Sequence, residues 1–170
     1  MRLSTILSMV FFLFISSACK KDDSPSQTGS NSMSAKVDGK SWSRKPCWEC
    51  IGGGKGLRID YDDRDYFALQ GQDPDFGMTI EFAIYSMPGV GTYQLNSTYS
   101  LSNKNINVAL LFKNNKEYTT TEQSTGVINI TKVDLLKKIV SGTFTFTAEE
   151  EGNPANTIQV TDGRFDVTFL

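Results

Sequence analysis

Thr143-Phe144-Thr145-Phe146-Thr147-Ala148 and, near the C-terminus, Arg164-Phe165-Asp166-Val167-Thr168-Phe169 decide the fold class. In both stretches large apolar side chains take every second position and polar ones fill the gaps. That is the two-residue period of a half-buried strand, not the 3.6-residue period of a helix. The same alternation runs outward through the chain. Ile80, Phe82 and Ile84 alternate with Thr79, Glu81 and Ala83, and Ile106, Val108, Leu110 and Phe112 repeat the arrangement. Ile128 with Ile130 and Ile158 with Val160 complete the set. Each segment is expected to bury one face and wet the other, as antiparallel sheets do. Turn residues punctuate the strands: Asp38-Gly39 and Asp162-Gly163 read as two-residue type I′ hairpins. Pro88-Gly89-Val90-Gly91, Asn114-Asn115 and Gly152-Asn153-Pro154 mark further reversals. The stretch from Asp134 to Lys138, the one helical candidate, reads better as a turn. Strands are expected near Lys36, Ile59, Phe67, Phe82, Val108, Tyr118, Ile128, Phe144, Val160 and Val167, with weaker patterns near Trp42 and Tyr93. The prediction is an all-β domain, an antiparallel β-sandwich of about ten to eleven strands, with a lipocalin-like barrel as the alternative.

The N-terminus carries an address. Met1-Arg2 precedes an apolar core from Ile6 to Ile15, followed by Ser16-Ser17-Ala18-Cys19. A core of about ten apolar residues is too short to span a bilayer, and with a basic start and small residues at its end it reads as a secretory signal peptide over residues 1–18. Ser16 and Ala18 satisfy the small-x-small rule of ordinary cleavage, whereas Ala18-Cys19 resembles the lipobox of bacterial lipoproteins, in which the cysteine is acylated and becomes the mature N-terminus. The lipobox is preferred, although Ser16 stands where Leu is usual. Two acyl chains would hold the chain on a membrane without a transmembrane segment. Lys21-Asp22-Asp23, directly after Cys19, resembles the export signal of Bacteroidota surface lipoproteins. Residues 19–32 are polar and are expected to form a disordered tether with a root-mean-square span of roughly 20 Å. One domain is expected over residues 33–170.

Composition removes much of the familiar chemistry. The chain has no His, which excludes Ser-His-Asp and Cys-His catalysis, two-His zinc motifs and proximal-His haem ligation. Its 17 basic against 19 acidic residues form no basic stripe, so no nucleic-acid partner is expected. Cys47-Trp48-Glu49-Cys50 is the most conspicuous motif, and in an exported chain Cys47 and Cys50 are expected to form a disulfide that pins the loop of Gly52, Gly53, Gly54 and Gly56. Redox activity would need a helix N-terminus to depress a thiol pKa, and zinc would need two more ligands, which here could only be carboxylates. Haem attachment fails because Ile51 follows the pair in place of His. Asp60-Tyr61-Asp62-Asp63-Arg64-Asp65 gathers carboxylates that calcium could use, but Asp65 and Gly71 stand where an EF-hand needs Gly and Glu, so a solvent-facing hairpin is the simpler reading. Glu49, Glu81 and Asp166 are the carboxylates from which a glycosidase pair would have to come, and no spacing joins any two of them. Gly54-Lys55-Gly56 lacks the Ser or Thr of a phosphate loop. No cofactor, metal or catalytic residue is assigned. The aromatics Trp42, Trp48, Tyr61, Tyr66, Tyr85, Tyr93, Tyr99 and Tyr118 fall at strand ends, in loops or on outward faces, where rings can stack on sugars or anchor a protein. Trp48, held between the cysteines, is the foremost ligand contact among them.

With Ala35-Lys36-Val37-Asp38-Gly39-Lys40-Ser41-Trp42 at its start, Gly126-Val127-Ile128-Asn129-Ile130-Thr131 in the middle, and Ile139-Val140-Ser141-Gly142-Thr143-Phe144-Thr145-Phe146 and Thr161-Asp162-Gly163-Arg164-Phe165-Asp166-Val167 near its end, the body of the chain also resembles a family of Bacteroidota lipoprotein domains of unknown function. The resemblance implies a β fold and an envelope location, and it carries no activity or binding residues. The functional expectation is a lipid-anchored lipoprotein of the outer membrane facing the cell exterior, with periplasmic or secreted locations as alternatives. It is expected to be a monomeric, non-catalytic accessory or binding module whose partner beyond the membrane is a glycan or an envelope protein. A structural or protein-interaction role in the envelope is the alternative, and a small hydrolase ranks third.

Overall fold

The computed structural model describes residues 26–62, 66–87, 89–98 and 106–170. Among these, eleven antiparallel strands and one 3-10 turn, Pro74–Phe76, make an all-β fold. The strands are β1 (Ser32–Val37), β2 (Lys40–Ser43), β3 (Leu57–Asp62), β4 (Tyr66–Asp73), β5 (Met78–Tyr85) and β6 (Gly91–Leu95). They continue as β7 (Val108–Lys113), β8 (Lys116–Thr119), β9 (Gly126–Asp134), β10 (Ile139–Glu150) and β11 (Asn153–Thr168). Hydrogen bonding runs β2-β1-β11-β10-β8-β7-β5-β4-β3, and a branch β10-β9-β6 leaves the same long strand. The branch arises because β10 pairs with β9 along Ile139–Phe146 and then with β8 at Glu149 and Glu150. One layer is therefore β2-β1-β11-β10-β9-β6 and the other β8-β7-β5-β4-β3, joined where β10 crosses between them. The path begins and ends on β2 and β3, which do not pair, so the sheet is not closed into a barrel.

The core lies between the layers, where the alternating faces meet. Phe82 of β5 packs on Phe144 and Phe146 of β10, with ring centroids 4.6 and 5.8 Å apart, and Phe67 of β4 packs on Phe165 of β11 at 5.8 Å. Such ring pairs contribute about 0.5–1.5 kcal/mol each beyond the area they bury. On β4 every second residue, from Phe67 to Asp73, is buried, as the period requires.

The reversals at Asp38-Gly39 and Asn114-Asn115 are two-residue hairpins: Val37 pairs with Lys40 and Lys113 with Lys116, and all four turn residues have positive φ. Asp134 and Ile139 close a four-residue hairpin tip in which Lys137 N–H donates to Asp134 Oδ1 at 2.9 Å. The third reversal, after β10, turns on Glu151 and Gly152, and Asn153-Pro154 already opens β11.

Asp162-Gly163 is not a hairpin. Phe144 pairs with Gly163 and Phe146 with Val160, so Thr161 and Asp162 together oppose Thr145, and the chain runs straight on as one strand with a β-bulge. The bulge explains why the inward set changes from even numbers (Ile158, Val160) to odd ones (Phe165, Val167). The two strands expected near Val160 and Val167 are thus one. Asp162 supplies the left-handed residue at φ 52°, while Gly163 serves a separate need: any Cβ there would run into the Phe144 ring.

The inward face of β7 also differs from expectation. Register places Ala109 opposite Phe82 and Leu111 opposite Ile80, so Ala109 and Leu111 join the main core. Ile106, Val108 and Leu110 form a second, smaller cluster with Ala83 on the other side, against Tyr66, Tyr85 and Phe112. Opposed residues of a ladder share a face, so β5 dictates the face of β7 whichever set is larger.

Candidate functional site

The loop between β2 and β3 carries Trp48. Lys45 N–H donates to Gln72 O at 2.9 Å, which starts the loop on the edge of β4. Within the loop, Cys50 N–H donates to Cys47 O, Gly54 N–H to Cys50 O, Cys47 N–H to Gly54 O and Gly56 N–H to Ile51 O, all at 3.0–3.1 Å. Ile51 N–H donates to the Gln72 side-chain oxygen at 3.1 Å, and an Arg44 guanidinium N–H donates to Lys55 O at 2.9 Å. Cys47 and Cys50 are joined as a disulfide. Gly52 and Gly56 take left-handed φ of 67° and 65°, and a Cβ on either would strike backbone, Leu57 O for Gly52 and Lys45 O for Gly56. Backbone hydrogen bonds, a covalent bridge and two obligatory glycines thus fix the loop, while Trp48 at its tip is 97% exposed.

Beside it, Lys45 Nζ pairs with Asp75 at 2.7 Å and with the buried Asp73 at 3.4 Å, and it lies 5.5 Å from the centre of the Phe76 ring. The Asp75 hydrogen bond is the main reason its pKa is raised, with burial opposing it. The lysine is therefore charged, and it staples the loop base to the 3-10 turn.

The other candidate aromatics do not join Trp48 as free rings. Trp42 is in the core, because it is the one inward residue of the short β2. Tyr118 is buried as well, and Tyr61, Tyr66, Tyr85 and Tyr93 are half-buried against the two clusters. Burial, with Tyr85, Asp60 and Glu81 nearby, pushes the Tyr66 hydroxyl up to about 12. Cys19, Lys21, Asp22, Asp23 and Tyr99 lie outside the described residues, as do the signal segment, Pro88 and Asp63, Arg64 and Asp65 of the acidic cluster. Asp60 and Asp62 are exposed on β3, and among the described residues no three His, Cys, Asp or Glu side chains gather as a metal site.

Nor are the candidate carboxylates brought together. Glu49 is exposed beside Trp48. Glu81, on the outer face of β5, accepts from Gln70 Nε2 at 3.0 Å, and burial raises its pKa despite Arg58. Asp166 is 1% exposed and engaged by residues just before β1 and by Ser141 of β10. Its Oδ2 accepts from Thr28 N–H at 3.0 Å, from Ser30 N–H at 2.9 Å and from the Ser26 hydroxyl. Its Oδ1 accepts from Gly29 N–H at 2.9 Å and the Ser141 hydroxyl at 2.8 Å. Burial alone would raise its pKa; the bonds from Ser26, Ser30, Gly29 and Ser141 outweigh that and hold it well below the usual carboxylate range. Sequence reasoning missed this arrangement. It assigns residues up to Ser32 to a free tether and starts the domain at Met33, whereas Ser26–Asn31 is strapped across β11. The signal lay in the run Ser26-Gln27-Thr28-Gly29-Ser30, small polar residues around a glycine, which can fold its N–H groups around an anion.

No helix among the described residues is long and apolar enough to cross a membrane. No curated protein and no solved structure matches the chain. Residues 54–167, from the end of the glycine loop through β11, match one family, so the strap, β1, β2 and Trp48 lie outside the matched segment. With two thirds of its length in that match, the chain belongs to the family described as a domain of unknown function, DUF6252.

Proposed function

We propose that this chain is a surface lipoprotein of the Bacteroidota type, acylated at Cys19, exported through Lys21, Asp22 and Asp23, and held by its lipid on the outer membrane with the domain facing the cell exterior. The domain is a monomeric, non-catalytic binding module. The observation that carries the binding role is Trp48: an indole 97% exposed on a loop held by backbone hydrogen bonds and the Cys47–Cys50 disulfide. Indoles are enriched at binding hot spots because they offer a large, stiff contact area, and presenting one on a rigid loop reduces the ordering cost of binding. A glycan, stacked on the ring, is the favoured ligand, and an envelope protein is the second. The lipid anchor draws its support from the sequence around Cys19.

A thermal-shift screen of the mature chain against oligosaccharides tests the binding role, because a ligand that prefers the native state raises the melting temperature. A concentration-dependent rise that disappears in Trp48→Ala is expected. A rise that survives the substitution would place binding elsewhere, and silence across the panel would turn the reading toward a protein partner.

A further inference from the structure

The hairpin tip between β9 and β10 is Leu135-Leu136-Lys137-Lys138, and its leucines are turned out of the fold: Leu135 is 56% exposed and Leu136 98%. Neither belongs to either hydrophobic cluster. Phe169 N–H donates to Lys138 O at 3.0 Å, which sets the fully exposed Leu170 beside the same tip. Lys137 and Lys138 are exposed next to the leucines. An apolar tip bordered by ammonium groups is the pattern of a segment that seats in the headgroup and acyl boundary of a bilayer, with the lysines at the phosphates.

The strap supplies the second observation. Lys132 Nζ, at the stem of this hairpin, donates to Gln27 O at 2.8 Å, and Gln27 Nε2 donates to the Thr131 hydroxyl at 3.3 Å. Asn31 accepts from Thr168 N–H at 2.9 Å, and Asp166 holds the residues between. Ser26, where the described residues begin, therefore lies at the stem of the very hairpin that bears the leucines. Only residues 20–25 separate Ser26 from Cys19, a stretch that covers at most about 25 Å when fully extended. A lipid on Cys19 would keep the hairpin within that distance of the membrane, a shorter leash than a free tether reaching Ser32 would give.

We propose that the Leu135-Leu136 tip, with Lys137 and Lys138, docks onto the bilayer that holds the Cys19 lipid, so that the domain stands on the membrane in one attitude. This inference rests on the lipid-anchor reading. The test uses the acylated chain purified from cells and reconstituted in vesicles of phosphatidylethanolamine and phosphatidylglycerol. An environment-sensitive fluorophore is placed on Leu136→Cys or, as control, on Gln123→Cys, an exposed site in the loop at the opposite end of β9. The emission at position 136 is expected to shift to the blue and to be quenched by brominated acyl chains, with neither change at position 123. Identical behaviour at the two sites, in protein whose mass confirms the acyl group, would overturn the docking and leave the anchor standing. Protein that carries no acyl group at Cys19 would overturn both.

Discussion

Replacing Asp166 by Ala removes the acceptor of six donors at once: Thr28, Gly29 and Ser30 N–H and the Ser26, Thr28 and Ser141 hydroxyls. A hydrogen bond to a charged group contributes about 1.5–3 kcal/mol net, but these are not additive, since the freed strap can lift off and rehydrate its own amides. If the strap instead stays down, the Ser141 hydroxyl, buried opposite Asp166 on the same face, is left unpaired, and a buried polar group left unpaired costs about 1–3 kcal/mol. The expected loss is about 3 kcal/mol at pH 7, measured by urea unfolding of the mature chain. The effect has a pH signature. The carboxyl is depressed in the folded state, so its contribution is complete above the unfolded value of about 4 and disappears as pH falls through the lower folded value. The gap between wild type and Asp166→Ala should therefore narrow below about pH 4. Hydrogen exchange gives an independent readout, since the amides of Thr28, Gly29 and Ser30 should lose their protection in the variant. A gap that stays constant from pH 7 to pH 3, or protection that persists, would refute the role given to Asp166.

Three further outcomes are expected. Cys47→Ser with Cys50→Ser should cost at most about 2 kcal/mol and leave the fold intact, because so short a ring removes little chain entropy and the loop keeps its backbone bonds; unfolding of the domain by reductant would contradict this. Gly56→Ala, whose Cβ meets Lys45 O, should destabilise well beyond Gly53→Ala, where φ is also left-handed but nothing stands within 4 Å; equal melting temperatures would show that the loop yields. Phe82→Ala should lose about 3–5 kcal/mol, since its ring bridges to Phe144 and Phe146 across the layers, and a loss below 1 kcal/mol by urea titration would argue against tight packing there.

Much of the fold is legible in the chain because a two-residue period reports one buried face, and because Asp38-Gly39 and Asn114-Asn115 have the left-handed residues a tight hairpin needs. The misreadings share one cause: a local pattern does not say what lies opposite. Asp162-Gly163 has hairpin chemistry, but β1 and β10 pair with the strand on both sides of it, and that makes it a bulge. Val108 and Leu110 outweigh Ala109 in size, yet pairing with Phe82 sends the alanine inward. Asp166 alternates outward from Phe165 and Val167 as expected, and becomes buried only because the strap covers that face. Trp48 was legible for the opposite reason: cysteines and glycines act locally, so the spacing alone announces a pinned loop with an indole on it.

Protease treatment of intact cells, followed by detection of the domain, tests display on the cell exterior most directly. The domain should vanish at protease levels that spare periplasmic proteins, and Cys19→Ala, which cannot be acylated, should release it from the membrane. Survival of the wild-type domain until the outer membrane is broken would contradict the outward-facing anchor.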